Sequence, residues 1–125
     1  MSDKRFGENA TTIWTDKKRI LGMPISFTRY SLIESPEWTK LFIKTGVLTT
    51  VIDEVNLFRI YDIQCSQSLG QKIFSVGSIT LYSKDITSPV VVLRNIVKPY
   101  EVRNLLAQKI EQARKDKGVR IGEFF

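Results

Sequence analysis

The sequence predicts a mainly β domain that ends in one α-helix. Short runs rich in aromatic and β-branched residues fill the stretch from Met23 to Leu93, and turn residues separate them. After Pro99 the apolar residues instead recur every three or four positions. The first pattern is typical of antiparallel strands and the second of an amphipathic helix. We therefore expect a strongly bent antiparallel sheet that forms a partly open barrel, with the helix capping it.

Three antiparallel strands are predicted in the first half of the chain. The first is Ile25–Ile33, and Pro36 ends it because proline has no amide hydrogen for a strand ladder. The return strand is Lys40–Thr45. Gly46 permits the positive φ of a tight connection, so a third strand is expected at Val47–Ile52.

Three further strands bring the predicted total to about six, with no helix between them. They are a run through Ile63 and Cys65, into which Val55, Leu57 and Ile60 lead, then Gly77–Ser83 and Val90–Leu93. Ile63 and Cys65 are two residues apart and are predicted on the buried face of their strand, which makes Cys65 a core thiol. A corner at Ser68-Leu69-Gly70 precedes the next strand.

An amphipathic helix is predicted over Pro99–Lys115. Its apolar face is formed by Val102, Leu105, Leu106, Ile110 and Ala113. Proline suits the first helical turn, but Lys98 stands before it where an Asp is usual. The helix start therefore lacks a side-chain acceptor that typically contributes about 1 kcal/mol. Gly118 is predicted to end the helix.

The domain organisation follows from the same pattern. We expect a flexible N-terminus over residues 1–10, one domain of about a hundred residues over 11–118, and an apolar tail over 119–125. The single Cys65 and the lack of a signal peptide predict a reducing, cytoplasmic location. The longest aliphatic run, Val90–Leu93, is far below the roughly 18 residues of a membrane span.

Charge and composition narrow the function classes. Nineteen Lys and Arg against thirteen Asp and Glu give +6 and a pI near 9.6, which favours anionic partners such as nucleic acid or the inner face of a membrane. A plain solvated surface is the more ordinary explanation. Nucleic acid is disfavoured because Phe42, between Lys40 and Lys44, is the only aromatic residue placed as in a stacking platform.

The sequence predicts no catalytic, metal-binding or cofactor-binding residue. It has no histidine, which removes the usual general base, and one cysteine cannot build a zinc site. Gly70 and Gly77 are expected in a β context rather than in a phosphate-binding loop before a helix. The adjacent acids Asp53 and Glu54 are interpreted as a solvated turn. The expectation is therefore that the protein is not an enzyme.

Six segments resemble a known family in their order and spacing. They are Tyr30-Ser31-Leu32, Leu41–Gly46, Ile60–Ile63, Gln67–Gly70, Val76–Ile79 and Pro99–Val102. Together they resemble the bacterial pleckstrin-homology-like (PH-like) domain family from about Trp14 to Ala113. The resemblance implies a bent sheet of seven strands, nearly a barrel, that a helix caps at one end.

The resemblance also bears on function. Many family members adjoin transmembrane helices, whereas this sequence resembles a free-standing member; most members have no assigned activity, and some related domains assemble into rings. Eukaryotic relatives that bind phosphoinositides place clustered Lys and Arg in the first hairpin. Between Ile25 and Gly46 the only basic residues are Arg29, Lys40 and Lys44. This departure argues against headgroup binding.

The leading hypothesis from the sequence is a non-enzymatic scaffold that binds a protein partner or forms a homo-oligomer, through exposed strand edges, the helix or the tail. The alternative is a peripheral binder of anionic membrane lipid, at the inner face of the membrane. Its candidate contacts are Arg29, Trp38, Lys40 and Lys44. For Trp38, packing against its own sheet is the competing interpretation. An enzyme is the third class.

Overall fold

The computed structural model describes residues 9–21, 23 and 26–118, and they form seven strands and two α-helices. The strands are β1 (Thr11–Lys17), β2 (Arg29–Glu34), β3 (Thr39–Thr45), β4 (Val51–Asn56), β5 (Ile60–Ser66), β6 (Val76–Ser83) and β7 (Val90–Val97). The helices are α1 (Leu69–Ile73) and α2 (Pro99–Asp116). One 3₁₀ turn, Leu57–Arg59, connects β4 to β5.

The strands form two antiparallel sheets that do not close into a barrel. The first sheet has the order β1-β2-β3-β4 and the second has the order β5-β6-β7. In the first sheet Lys17 pairs with Arg29, and Arg29 pairs with Lys44, so the β1–β2 and β3–β4 connections lie at the same end. This arrangement confirms the predicted fold class and the strand number that the family resemblance implied.

The two sheets meet where β1 lies beside β7. The Asp16 carboxylate accepts a hydrogen bond from the Val97 amide at 3.1 Å, and the Arg19 amide donates to the Asn95 carbonyl at 2.8 Å. The Tyr30 hydroxyl accepts a bond from the Arg94 amide at 3.0 Å. These bonds hold one side of the open sandwich together.

Helix α2 closes another side of the sandwich. Val102, Leu106 and Ile110 on its apolar face join the core formed by both sheets. Near its C-terminus the Arg114 guanidinium donates to the Ile60 carbonyl at 2.9 Å, and the Lys109 ammonium lies 3.1 Å from the Glu34 carboxylate. The amphipathic helix predicted from Pro99 is confirmed, and its start at Lys98 has no side-chain cap.

Three strand predictions need correction. Thr11–Lys17 is a strand, although no strand was predicted before Met23. The strand predicted at Ile25–Ile33 begins at Arg29, and Ile25 lies outside the described residues. The strand predicted at Val47–Ile52 is displaced to Val51–Asn56 because the turn after Gly46 extends through residue 50.

The adjacent acids and the leucine-glycine corner also differ from expectation. Asp53 and Glu54 lie within β4, where they are exposed, rather than in a turn. A short helix, Leu69–Ile73, occupies the predicted corner, so Gly70 is helical and the statement that no helix separates the strands was wrong. The helix begins with a capping box, in which Ser68 and Gln71 bond each other's backbone amides.

The described residues include both predicted ends of the domain, near residues 10 and 118. Gly118 follows the end of α2 with a φ of +72°. Ala10, at the edge of the expected flexible segment, is buried against Ile33 and Phe42. Residues 1–8 and the apolar tail 119–125 lie outside the described residues.

Candidate interaction surfaces

The four predicted contact residues lie on one face of the first sheet. Trp38, Lys40 and Lys44 alternate along the chain into and through β3, so their side chains share the face that points away from the core. Arg29 pairs with Lys44 across the ladder and therefore lies on the same face. The structure thus brings together residues that are 15 positions apart in sequence, Arg29 and Lys44.

Three of these four residues are already engaged within the fold, and Arg29 is engaged through a 3.2 Å hydrogen bond from its guanidinium to the Thr15 hydroxyl. The Lys40 ammonium lies 3.1 Å from the Glu54 carboxylate and 5.0 Å from the centre of the Trp38 ring. The Trp38 ring packs edge-on against Phe42, with 6.1 Å between ring centres. Trp38 is therefore half-buried against its own sheet, as the competing interpretation held. Arg29 and Lys44 remain the exposed basic pair of this face.

The first hairpin of the structure is not the predicted one, which spanned Ile25 to Gly46. Because Thr11–Lys17 is β1, the first hairpin runs from Thr11 to Glu34 and contains the basic cluster Lys17-Lys18-Arg19 as well as Arg29. A cavity of about 350 Å³ lies there, lined by Thr15, Asp16, Lys17, Arg19 and Arg29. The hairpin with few basic residues is therefore the second one, and its composition does not count against headgroup binding by the first.

Strand β4 is the exposed edge of the first sheet. It pairs with β3 on one side, and no described strand pairs with its other side. Val51, Asp53 and Val55 point toward the core side, whereas Ile52 and Glu54 point outward. All but Val55 of these five are exposed. An edge of this kind offers unpaired backbone groups to another extended segment.

A second feature is the junction around Asn95. The Asn95 carbonyl binds the Arg19 amide, and its side-chain oxygen accepts a bond from the Gln71 side chain at 2.8 Å. The start of the β1–β2 connection and helix α1 therefore both contact Asn95. The left-handed φ angles of described non-glycine residues all occur in segments around this junction, at Leu21, Ser75, Asn95 and Lys98.

The groups with possible chemical roles are the acidic side chains and the single thiol, Cys65. Within the described residues no group of three or more Cys, Asp or Glu side chains is placed to hold a metal ion. Burial raises the pKa of the Cys65 thiol, although the nearby positive charge of Arg103 opposes this. A raised thiol pKa lowers the population of the nucleophilic thiolate.

Comparison with known proteins gives a family match. A family model described as "Bacterial PH domain" matches residues 21–110. No match was found among curated proteins, and none among solved structures. Neither helix of the described chain combines the length and hydropathy of a membrane span.

Proposed function

Because the chain belongs to the bacterial PH domain family, whose members are in general non-catalytic modules, we propose that it is an interaction module whose protein partner adds a strand to β4. The exposed edge of β4 is the observation that carries this proposal. Main-chain hydrogen bonds to an added strand supply affinity, and the side chains on alternate faces supply specificity.

The charge of β4 favours a basic partner strand over a second copy of the same strand. Full antiparallel pairing of Val51–Asn56 with itself would set Asp53 opposite Glu54 of the second copy. Like charges directly opposite each other destabilise a strand pair. A partner with Lys or Arg at these positions would instead form opposite-charge pairs. We therefore favour a heterologous partner over homo-oligomerisation through this edge.

A titration of the ¹⁵N-labelled protein with two synthetic peptides tests this proposal. One short peptide alternates threonine and lysine, and the matched peptide alternates threonine and glutamate. We expect amide shift changes that are confined to β4 and its flanking turns and that occur with the basic peptide only. The variant Asp53→Lys/Glu54→Lys should reverse the preference. Equal responses to both peptides, or shifts elsewhere, would contradict the proposal.

Peripheral binding to anionic lipid is the second candidate, and the corrected first hairpin is the observation that favours it. Lys17, Arg19 and Arg29 lie around one cavity there, and Lys44 pairs with Arg29. Basic residues close to an anionic bilayer contribute about 1 kcal/mol each. Flotation with neutral and acidic vesicles at low salt tests it, and equal binding to the two would rule it out.

Both candidates describe a protein that works in the cytoplasm, and the second places it at the inner face of the membrane. The single cysteine, which has no partner for an internal disulfide, supports the reducing compartment.

A further inference from the structure

We infer that the lipid-binding surface is centred on Asn95 and uses two exposed apolar segments, the turn after Arg19 and helix α1, to enter the interface of an anionic bilayer. This inference rests on the second candidate function. We call this surface the junction face. Its apolar residues are Ile20, Leu21 and Met23 from the turn and Leu69, Ile73 and Phe74 from and just after α1.

The apolar residues of the junction face are unusually exposed for their type. The exposed fractions are 66% for Leu21, 77% for Leu69 and 73% for Ile73. Groups of exposed apolar side chains mark binding surfaces more often than isolated ones do, and each of the two segments bonded to Asn95 carries such a group. The junction face therefore suits an occupant that accepts leucine and isoleucine side chains.

Both apolar segments are held firmly rather than loosely tethered. Ile20 and Met23 exchange two backbone hydrogen bonds, of 2.9 and 3.0 Å. The Gln71 side chain fixes α1 by donating to Asn95 and to Ser78, at 2.8 and 2.9 Å. A fixed surface loses little conformational entropy when it binds.

The charge around the junction face favours an anionic occupant, and its exposed apolar residues favour a bilayer. The described parts of the three segments that meet there, residues 17–21, 23, 26–28, 67–75 and 94–98, contain six Lys or Arg and no Asp or Glu. This excess equals the net charge of +6 of the whole chain. Asp16, the acid that contacts the region, is already paired with Arg19 at 3.0 Å.

Apolar side chains with surrounding Lys and Arg are the combination that partitions into an anionic membrane interface. The apolar groups enter the boundary between headgroups and acyl chains while Lys72 and Lys98, both exposed, meet the anionic headgroups. The Trp38 face of the first sheet is not required. An acidic protein surface would satisfy the charges, but the test below distinguishes it.

Flotation of the full chain with phosphatidylcholine vesicles, with and without about a third of phosphatidylglycerol, tests the inference. The wild type should float with the acidic vesicles only, and less so at high salt. Leu21→Ser/Ile73→Ser should weaken this binding by about tenfold or more, as should Lys72→Gln/Lys98→Gln. The matched control is Ile86→Ser, because Ile86 is 94% exposed in the β6–β7 connection, at the end of the second sheet opposite α1.

The flotation results test lipid binding and the position of the lipid-binding surface separately. If the wild type ignores acidic vesicles, the lipid-binding candidate itself fails. If the wild type binds but Leu21→Ser/Ile73→Ser binds equally well, or Ile86→Ser loses as much, the junction face is wrong while lipid binding stands. All these positions are exposed, so circular dichroism should show unchanged folding. Sedimentation showing that the wild type self-associates through these same side chains would also overturn the inference.

Discussion

The carboxylate of Asp16 accepts a hydrogen bond from the backbone amide of Val97, which lies 81 residues further along the chain. Asp16 belongs to β1 and Val97 ends β7, so this bond joins the two sheets. The same carboxylate pairs with Arg19, and Asp16 is only 7% exposed. Losing this buried carboxylate is costly, because the partly buried Val97 amide and Arg19 guanidinium then lose their acceptor.

Asp16→Ala should therefore lower the free energy of unfolding by about 2–4 kcal/mol. Urea denaturation measures this change. The exposed Asp53→Ala is the control and should shift stability by less than about 0.5 kcal/mol. Equal effects at the two positions would show that Asp16 does not join the sheets.

Alanine substitution at two glycines near the junction should change the stability of the fold in opposite directions. A Cβ on Gly77 would lie 2.7 Å from Cγ of the Pro99 ring, which cannot move away easily. Gly77→Ala should therefore lower the free energy of unfolding by about 1–3 kcal/mol. A Cβ on Gly70 meets nothing within 4 Å, and Gly70 is helical. Gly70→Ala should therefore raise the free energy of unfolding by up to about 1 kcal/mol. Thermal unfolding of both variants tests the pair, and a loss in both would contradict it.

The elements with long, regular patterns were predictable from the sequence. The apolar spacing from Val102 to Ala113 identified α2, and the hairpin of β2 and β3 followed from turn chemistry at Pro36. Helix α1 was missed because five residues are too few for a helical period to appear. It is stabilised instead by its capping box and by Asn95, a residue 24 positions from Gln71.

Three parts of the candidate surfaces were not predicted because the local sequence pattern does not show them. β1 was overlooked because its alternation is weak: Thr11–Lys17 has one fully buried residue, the charged Asp16. Val47 and Leu48 looked like a strand because they are apolar, yet they are exposed in the turn. The junction at Asn95 depends on contacts between distant segments, which no local pattern reveals.

The buried hydroxyl of Tyr30 predicts a change in stability at high pH. Burial raises the pKa of Tyr30 above its ordinary value of 10.0, although its bond from the Arg94 amide opposes this. In the folded state the Tyr30 hydroxyl thus keeps its proton at a pH where the unfolded state loses it. The contribution of Tyr30 to the free energy of unfolding is therefore full below pH 10 and is lost as the pH rises through the folded pKa.

Tyr30→Phe should be about 1 kcal/mol less stable than the wild type near neutral pH, since it leaves the Arg94 amide without its acceptor. The difference should shrink as the pH rises above about 10. Urea denaturation at several pH values measures this trend, with Tyr100→Phe at an exposed position as the control. A difference that stays constant with pH would contradict the raised pKa.

The half-buried thiol of Cys65 should alkylate slowly in the folded protein. Its pKa is raised by burial and lowered by the charge of Arg103. Arg103→Gln should therefore slow the reaction with iodoacetamide at mildly alkaline pH, because fewer thiolates form. Arg29→Gln, on the other sheet, should leave the rate unchanged. A faster reaction in Arg103→Gln would show that access rather than charge controls the thiol.

The central claim is that β4 is an available strand edge, which its two adjacent acids keep from pairing with a second copy. Sedimentation of the wild type and of Asp53→Thr/Glu54→Thr across the micromolar range tests this most directly, with Asp62→Thr on β5 as the matched control. The account predicts that the wild type and the control stay monomeric while the double variant dimerises. A folded double variant that remains monomeric throughout would contradict it.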